Sequence, residues 1–159
     1  MEARDKLAKA RLQLVREQPF FSYLALQFRF VEAKGLGTLG ISDKGVLVYD
    51  PEFIGRQDED TLLYLMCHEV LHPVFEHTLE KRRGGRDRRL WNVAGDYQIN
   101  LILHDNQIGT APVGIDRGRF SEEFRGCCVE EIYAKLAKKG RDTGVNVDDP
   151  EMGEDGCFE

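Results

Sequence analysis

The sequence predicts one domain of the α+β class, and three observations support this. Segments with helical hydrophobic spacing lie at residues 3–17 and 129–139, and two more lie between them. Runs that resemble strands occur at 20–31, 38–41 and 46–49. The length of 159 residues suits a single domain with its own hydrophobic core.

Composition narrows the function classes. The hydrophobic fraction of 42% and the charged fraction of 31% are ordinary for a globular protein. A net charge of −6 argues against a nucleic-acid-binding protein, because such proteins carry basic surfaces. No apolar run is long enough to span a membrane. The charged N-terminus and four cysteines without a zinc-ribbon or disulfide spacing favour a reduced, cytoplasmic protein.

The N-terminal third is expected to contain one helix followed by a strand. Hydrophobic residues recur with helical spacing over 3–17, and Pro19 should close that helix. The next segment, 20–31, is apolar and aromatic. Its alternating residues predict a strand; they are Leu24, Leu26, Phe28 and Phe30.

A hairpin should follow. Residues 38–41 and 46–49 look like two short strands, and the connection between them contains Gly45. The Asp50-Pro51 pair should end the second strand.

Three helices are expected in the rest of the chain. The first runs from about Thr61 to Thr78, with Asp58 as its N-cap. The second runs from about Leu90 to His104, and the third covers Val129 to Lys139 with Gly140 as its stop. We therefore expect a folded domain over residues 1–141. Residues 142–159, rich in Gly and acidic residues, predict an acidic flexible tail or a truncated linker.

Residues 68–72 carry the clearest chemical signal, because they read His-Glu-Val-Leu-His. On a helix, at about 100° per residue, His68 and His72 lie about 40° apart on one face. Two imidazoles placed this way can bind one zinc ion, and Glu69 lies beside them as a candidate general base. A structural zinc site would usually need four protein ligands, often cysteines, and the sequence contains no such set.

A catalytic zinc site usually has three protein ligands, and the candidates for the third are His77, Asp96 and His104. On a continuous helix His77 would face about 180° away from His68, so it could bind the metal only if the chain turned sharply after Pro73. His77 is thus the alternative third ligand. His104, at a helix end, is the weakest candidate.

Asp96 is the favoured third ligand. It belongs to a polar stripe, Asn92, Asp96 and Asn100, spaced by four residues on an otherwise apolar helix. A helix that is apolar on most sides is buried, and a buried carboxylate needs a partner or a metal. The competing interpretation is a solvated face or a structural amide network.

Glu69 would act as the general base. It would take the proton of a zinc-bound water as that water attacks a carbonyl, and would then pass the proton to the leaving amine. The sequence does not single out a residue that polarises the carbonyl. Tyr97, His104 and Tyr23 are weak candidates for this role.

Longer stretches of the chain resemble a known family. HEVLHPVFEH is followed by RRGGRDRRLWNVAGDYQIN, and three further segments occur in the expected order: PFFSYLALQFRFVEA, VLVYDPEFI and FRGCCVEEIYAKL. Together they resemble the bacterial metallopeptidase domain that usually precedes a von Willebrand factor A-like domain, and the likeness covers nearly the whole chain.

This resemblance implies a zincin-like fold, in which a small mixed β-sheet packs on the HExxH helix and 46–49 is one of its strands. It implies zinc held by His68 and His72, with Glu69 as the base and Asp96 as the third ligand. A peptide or protein would be the substrate. A non-catalytic or latent metal-binding scaffold, working with a von Willebrand factor A-like or ATPase partner, is the alternative.

Overall fold

The computed structural model describes residues 1–42, 44–112, 119–143 and 156–158. These ranges form an α+β domain with a four-stranded sheet. The helices are α1 (Ala3–Glu17), α2 (Pro19–Leu26), α3 (Pro51–Arg56), α4 (Glu59–Val74), α5 (Glu80–Arg83), α6 (Arg88–Asp105) and α7 (Val129–Thr143), and a 3-10 turn covers Glu122–Phe124. The strands are β1 (Arg29–Glu32), β2 (Leu39–Ser42), β3 (Val46–Tyr49) and β4 (Gly156–Phe158).

The sheet is small and mixed, as the sequence analysis expected. Its strand order is β1-β3-β2-β4. Strands β2 and β3 form the expected antiparallel hairpin, with Gly40 opposite Val48. Strand β1 runs parallel to β3, and β4 runs parallel to β2 with Gly156 opposite Gly40. The HExxH helix α4 packs against β2.

The predicted strand over 20–31 was wrong in its first part. Pro19 begins α2 instead of only closing α1, because its fixed backbone angle suits the first turn of a helix. The buried face of α2 is formed by Phe21, Ser22 and Ala25, whose spacing is that of a helix and not of a strand. The alternation of apolar residues predicted the strand correctly only where it continues into β1.

Asp50 joins the sheet to the next helix. Its side chain accepts a hydrogen bond from the Glu52 amide at 2.8 Å and another from the Gly37 amide at 2.7 Å. The first bond caps the N-terminus of α3. The second joins the turn before β2 to the end of β3. The Asp50-Pro51 pair ends the strand as expected, but it also starts a short helix that the sequence analysis did not predict.

The HExxH helix begins where the sequence indicated and ends earlier. Asp58 caps α4 by accepting a hydrogen bond from the Thr61 amide at 2.8 Å. The helix was expected to reach Thr78 but stops at Val74. Pro73 lies in its last turn, and Glu76 adopts a positive φ of 58° that reverses the chain.

Helix α6 lies between two apolar clusters. Ile99 and Leu103 pack into the main core with α1, α4 and the sheet, whereas Trp91 and Ala94 pack into a second cluster with α7. Helix α7 continues through Gly140 to Thr143, so the predicted stop at Gly140 was wrong. Both flanks of α6 are thus covered, and its polar residues Asp96 and Asn100 are buried.

The other expectations concern the chain ends and compartment. Residues 144–155 and 159, most of the predicted acidic tail, lie outside the described residues. In the described part, no helix is long and apolar enough to cross a membrane. Cys67, Cys127 and Cys128 are free thiols.

Gly109 provides a test of the packing between α4 and the loop after α6. Its φ is +57°, and a Cβ there would clash with the Asp60 carbonyl oxygen. Gly126 has a similar φ of +74° with open space around it. We expect Gly126→Ala to cost about 1 kcal/mol of stability from its backbone angle alone. Gly109→Ala should cost at least about 2 kcal/mol more because the backbone must shift. Urea unfolding measures both, and equal losses would contradict the close approach.

Candidate metal centre

Three side-chain atoms from α4 and α6 converge in the interior. The Nε2 atoms of His68 and His72 lie 3.1 Å apart. Each lies 3.1 Å from Oδ1 of Asp96. The exposed fractions of these residues are 4%, 1% and 1% respectively. Two imidazole nitrogens and a carboxylate oxygen thus form a nearly equilateral triangle, shielded from solvent.

The antiparallel packing of α4 and α6 produces this triangle. Tyr64 near the start of α4 contacts Asn100 near the end of α6, and His68 contacts Asp96 one turn earlier. Residues four apart lie on one helix face, so each turn of α4 meets one turn of α6. Of the predicted stripe of Asn92, Asp96 and Asn100, the last two are therefore buried against the histidines, whereas Asn92 is only half-buried.

Asn100 orients His68. Its amide nitrogen donates to the Arg119 carbonyl oxygen at 3.1 Å, which leaves its Oδ1 as an acceptor. That oxygen accepts from the Tyr64 hydroxyl at 2.6 Å and lies 2.9 Å from His68 Nδ1. The Nδ1 atom of His68 is therefore the protonated one. In the neutral ring, Nε2 then carries the lone pair that points into the triangle.

A second chain of contacts lies behind His72. Its Nδ1 lies 3.2 Å from Nδ1 of His77, and Nε2 of His77 lies 2.8 Å from the Gln98 side-chain oxygen. The structure thus brings His77 to the site, but on the side of His72 away from the triangle. Burial, with a smaller contribution from His72, lowers the pKa of His77 to about 3, so this ring is neutral at physiological pH.

The chain after α4 is shaped to hold His77 in place. The His77 amide donates to the His72 carbonyl oxygen at 2.9 Å, and the Trp91 indole donates to the His77 carbonyl oxygen at 2.8 Å. Gly95 allows the ring to lie directly on α6, since a Cβ there would be 2.8 Å from His77 Nδ1. A glycine in the middle of a helix is unfavourable by itself, and this contact explains its presence.

The two oxygens of Asp96 have different partners. Oδ1 faces the histidines, while Oδ2 pairs with the guanidinium of Arg119. Burial raises the pKa of Asp96, but the contacts with His68 and His72 outweigh this effect and hold the pKa well below its usual value. The carboxylate is therefore ionised at neutral pH.

Glu69 is buried on α4 between the two histidines in sequence, with 4% of its surface exposed. The other candidates lie elsewhere. His104 is exposed at the end of α6 and contacts Phe120, Tyr97 packs on Phe124, and Tyr23 is exposed on α2.

The sequence did not predict three residues of the site: Tyr64, Gln98 and Arg119. The spacing of Tyr64, His68 and His72, four residues apart, would have placed Tyr64 on the same face. Gln98 and Arg119 carry no comparable signal, because the contact of Gln98 with His77 depends on the turn at Glu76, and Arg119 lies outside the helices and strands.

The donor set can be compared with what a metal ion requires. In a tetrahedral zinc site with bonds of about 2.0–2.2 Å, ligand atoms lie about 3.3–3.6 Å apart. The three atoms here, at 3.1 Å, are within a few tenths of an ångström of that spacing. A cation that took the place of protons on the two Nε2 atoms would meet three lone pairs, one from each imidazole and one from the carboxylate. In the described part of the chain, His68, His72 and Asp96 form the one group of three or more such side chains close enough to share an ion.

Comparison with known proteins agrees with the sequence resemblance. A family model described as "Putative metallopeptidase domain" matches residues 2–156. A protein of Thermotoga maritima named only as uncharacterized is 35% identical over 107 residues, which are 65% of this chain and 27% of the relative. The chain thus spans about a quarter of the length of that relative. No solved structure matches.

Gly95→Ala tests the packing of His77 on α6. The added methyl group must push the imidazole away, so we expect a loss of about 1–3 kcal/mol in unfolding free energy, although alanine favours a helix. The ring ¹⁵N resonances of His72 should also shift. Gly55→Ala on α3, where a Cβ meets nothing within 4 Å, is the control and should be neutral or slightly stabilising. A Gly95→Ala protein as stable as the parent, with unchanged His72 resonances, would contradict the contact.

Proposed function

The chain belongs to the metallopeptidase domain family whose model it matches, and on that premise we propose that it is a zinc-dependent peptidase. His68, His72 and Asp96 would hold the ion, and Glu69 would act as the general base. The proposal includes a zincin-like arrangement, with the small mixed sheet packed on the HExxH helix.

The observation that carries the proposal is the triangle of His68 Nε2, His72 Nε2 and Asp96 Oδ1, with mutual separations of 3.1 Å. Nitrogen and oxygen donors in this number are typical of catalytic zinc sites, which keep a further position open for water or substrate. The buried carboxylate brings the negative charge that a dication needs. Its other oxygen is paired with Arg119, which fixes its orientation.

Zinc bound there would lower the pKa of a coordinated water to about 7 and polarise a carbonyl group. The remaining roles belong to the chain itself. Asn100 and Tyr64 hold the ring of His68. Glu69 would accept the proton of the attacking water on its carboxylate and deliver it to the leaving amine.

A peptide or protein is the substrate class that this chemistry implies. The second part of the proposal is a partner, either a von Willebrand factor A-like domain or an ATPase, and it rests on the family resemblance alone. The three residues of the triangle all lie on two helices of this chain, α4 and α6.

Metal content is the first test. The purified protein should contain about one zinc per chain by elemental analysis. Asp96→Ala and His68→Ala should each lose most of this zinc because one of three ligands is missing. His104→Ala, which removes an exposed histidine, should keep it. Zinc bound equally well by all three variants would exclude the proposed site.

Removing the metal should also weaken the fold, since an ion that binds only the native state stabilises it. At a free zinc concentration one hundred times the dissociation constant, the gain is about 2.7 kcal/mol. We therefore expect a chelator to lower the melting temperature of the parent and leave Asp96→Ala unchanged. A melting temperature of the parent that does not respond to chelator or added zinc would contradict this.

Glu69→Gln separates catalysis from metal binding. The amide cannot accept a proton, so we expect zinc to be retained while peptide hydrolysis falls by about 10²–10⁴-fold. Cleavage of a random-sequence peptide mixture, followed by mass spectrometry, gives the rate. Glu80→Gln, on an exposed side chain, is the matched control. A zinc-loaded parent that cleaves no peptide would instead favour the scaffold alternative.

A further inference from the structure

The proposed zinc site gives His77 no role, because this buried residue lies behind His72 and does not face the triangle of His68, His72 and Asp96. Its Nδ1 contacts the Nδ1 of His72 at 3.2 Å, and its Nε2 contacts the Gln98 oxygen at 2.8 Å. Both nitrogens of this buried ring have partners, as burial requires, and the identity of these partners determines which nitrogen carries the proton.

The contact with Gln98 determines which ring nitrogens of His77 and His72 carry protons. An amide oxygen can only accept, so the Nε2 of His77 must donate to it. A neutral imidazole carries one proton, so the Nδ1 of His77 has a lone pair and accepts from the Nδ1 of His72. In the neutral ring, the Nε2 of His72, which lies 3.1 Å from Oδ1 of Asp96, then carries the lone pair.

We propose that His77 and Gln98 are positioning residues, which fix the Nδ1-protonated tautomer of His72 and so keep its Nε2 ready for zinc. This inference rests on the proposed function, since it assumes that zinc is the ion. The pair would hold the proton of His72 on Nδ1, as Asn100 holds that of His68. Both imidazoles would then have the tautomer that zinc binding requires before the ion binds.

The surroundings of His77 favour an orienting role. Its backbone is held by the Trp91 indole and by the His72 carbonyl oxygen, independently of its imidazole. Its ring stacks on Phe75 with centroids 5.9 Å apart and lies against Gly95. The ring thus has an aromatic contact and a backbone contact in addition to the polar contacts of its two nitrogens.

The inference is tested by zinc affinity, measured by competition with a chromophoric chelator. His77→Phe keeps an aromatic ring on Phe75 and removes the acceptor, so we expect binding about 10–100-fold weaker. Gln98→Leu should weaken binding in the same direction, whereas Gln98→Glu keeps an oxygen acceptor and should restore it. His104→Phe makes the same substitution at an exposed histidine and should change nothing.

The ring ¹⁵N spectrum of the metal-free protein gives a second readout that a merely structural role would not move. The parent should show His72 protonated on Nδ1. In His77→Phe and Gln98→Leu, the Nε2-protonated form should become populated. Circular dichroism identifies a variant that fails to fold. If His77→Phe does not fold, Gln98→Leu, at a half-buried position, provides the test instead.

The outcomes separate this inference from the proposed function. Zinc binding with the expected tautomer but without peptide cleavage would support the inference and reject the peptidase. Cleavage by the parent, together with unchanged affinity and tautomer in folded His77→Phe and Gln98→Leu, would overturn the inference alone. A parent that binds no zinc, or that protonates His72 on Nε2, would overturn it as well.

Discussion

The structure depends on placing two imidazoles and a carboxylate within 3.1 Å of one another, away from water. Such groups cost several kcal/mol to bury unless each polar atom has a partner. The contacts around the triangle meet this demand. The side-chain oxygen of Asn100 contacts Nδ1 of His68, and the Nδ1 of His77 contacts Nδ1 of His72. The guanidinium of Arg119 pairs with Oδ2 of Asp96. The inner atoms are then left facing one another, which is the arrangement that a cation stabilises.

Helix α6 makes this possible because it is held on two sides. One flank packs into the main core through Ile99, and the other packs on α7 through Trp91. Helix α4 is covered by the sheet and by α1. A site built on two fixed helices keeps its ligands more precisely placed than one built on loops. The same close packing explains Gly95, since a larger residue there would strike His77.

Much of the site could be predicted from helical spacing alone. Asp96 and Asn100 lie on one face of a helix with apolar flanks, and burial followed from that pattern. The position of His77 could not be predicted, because a positive φ at the preceding residue turns the chain back after the helix ends. Proline can end one helix or begin the next. Pro19 was expected to end α1, but it also begins α2. Arg119 belongs to no periodic segment, so only the fold brings it to Asp96.

The crystal structure of the zinc-loaded protein, with anomalous data collected at the zinc edge, would test the central claim most directly. The account predicts one anomalous peak about 2.0–2.2 Å from His68 Nε2, His72 Nε2 and an oxygen of Asp96. His77 should remain behind His72, with its ring on Gly95. A peak bonded to His77 in place of Asp96, or no peak in the triangle at saturating zinc, would contradict it.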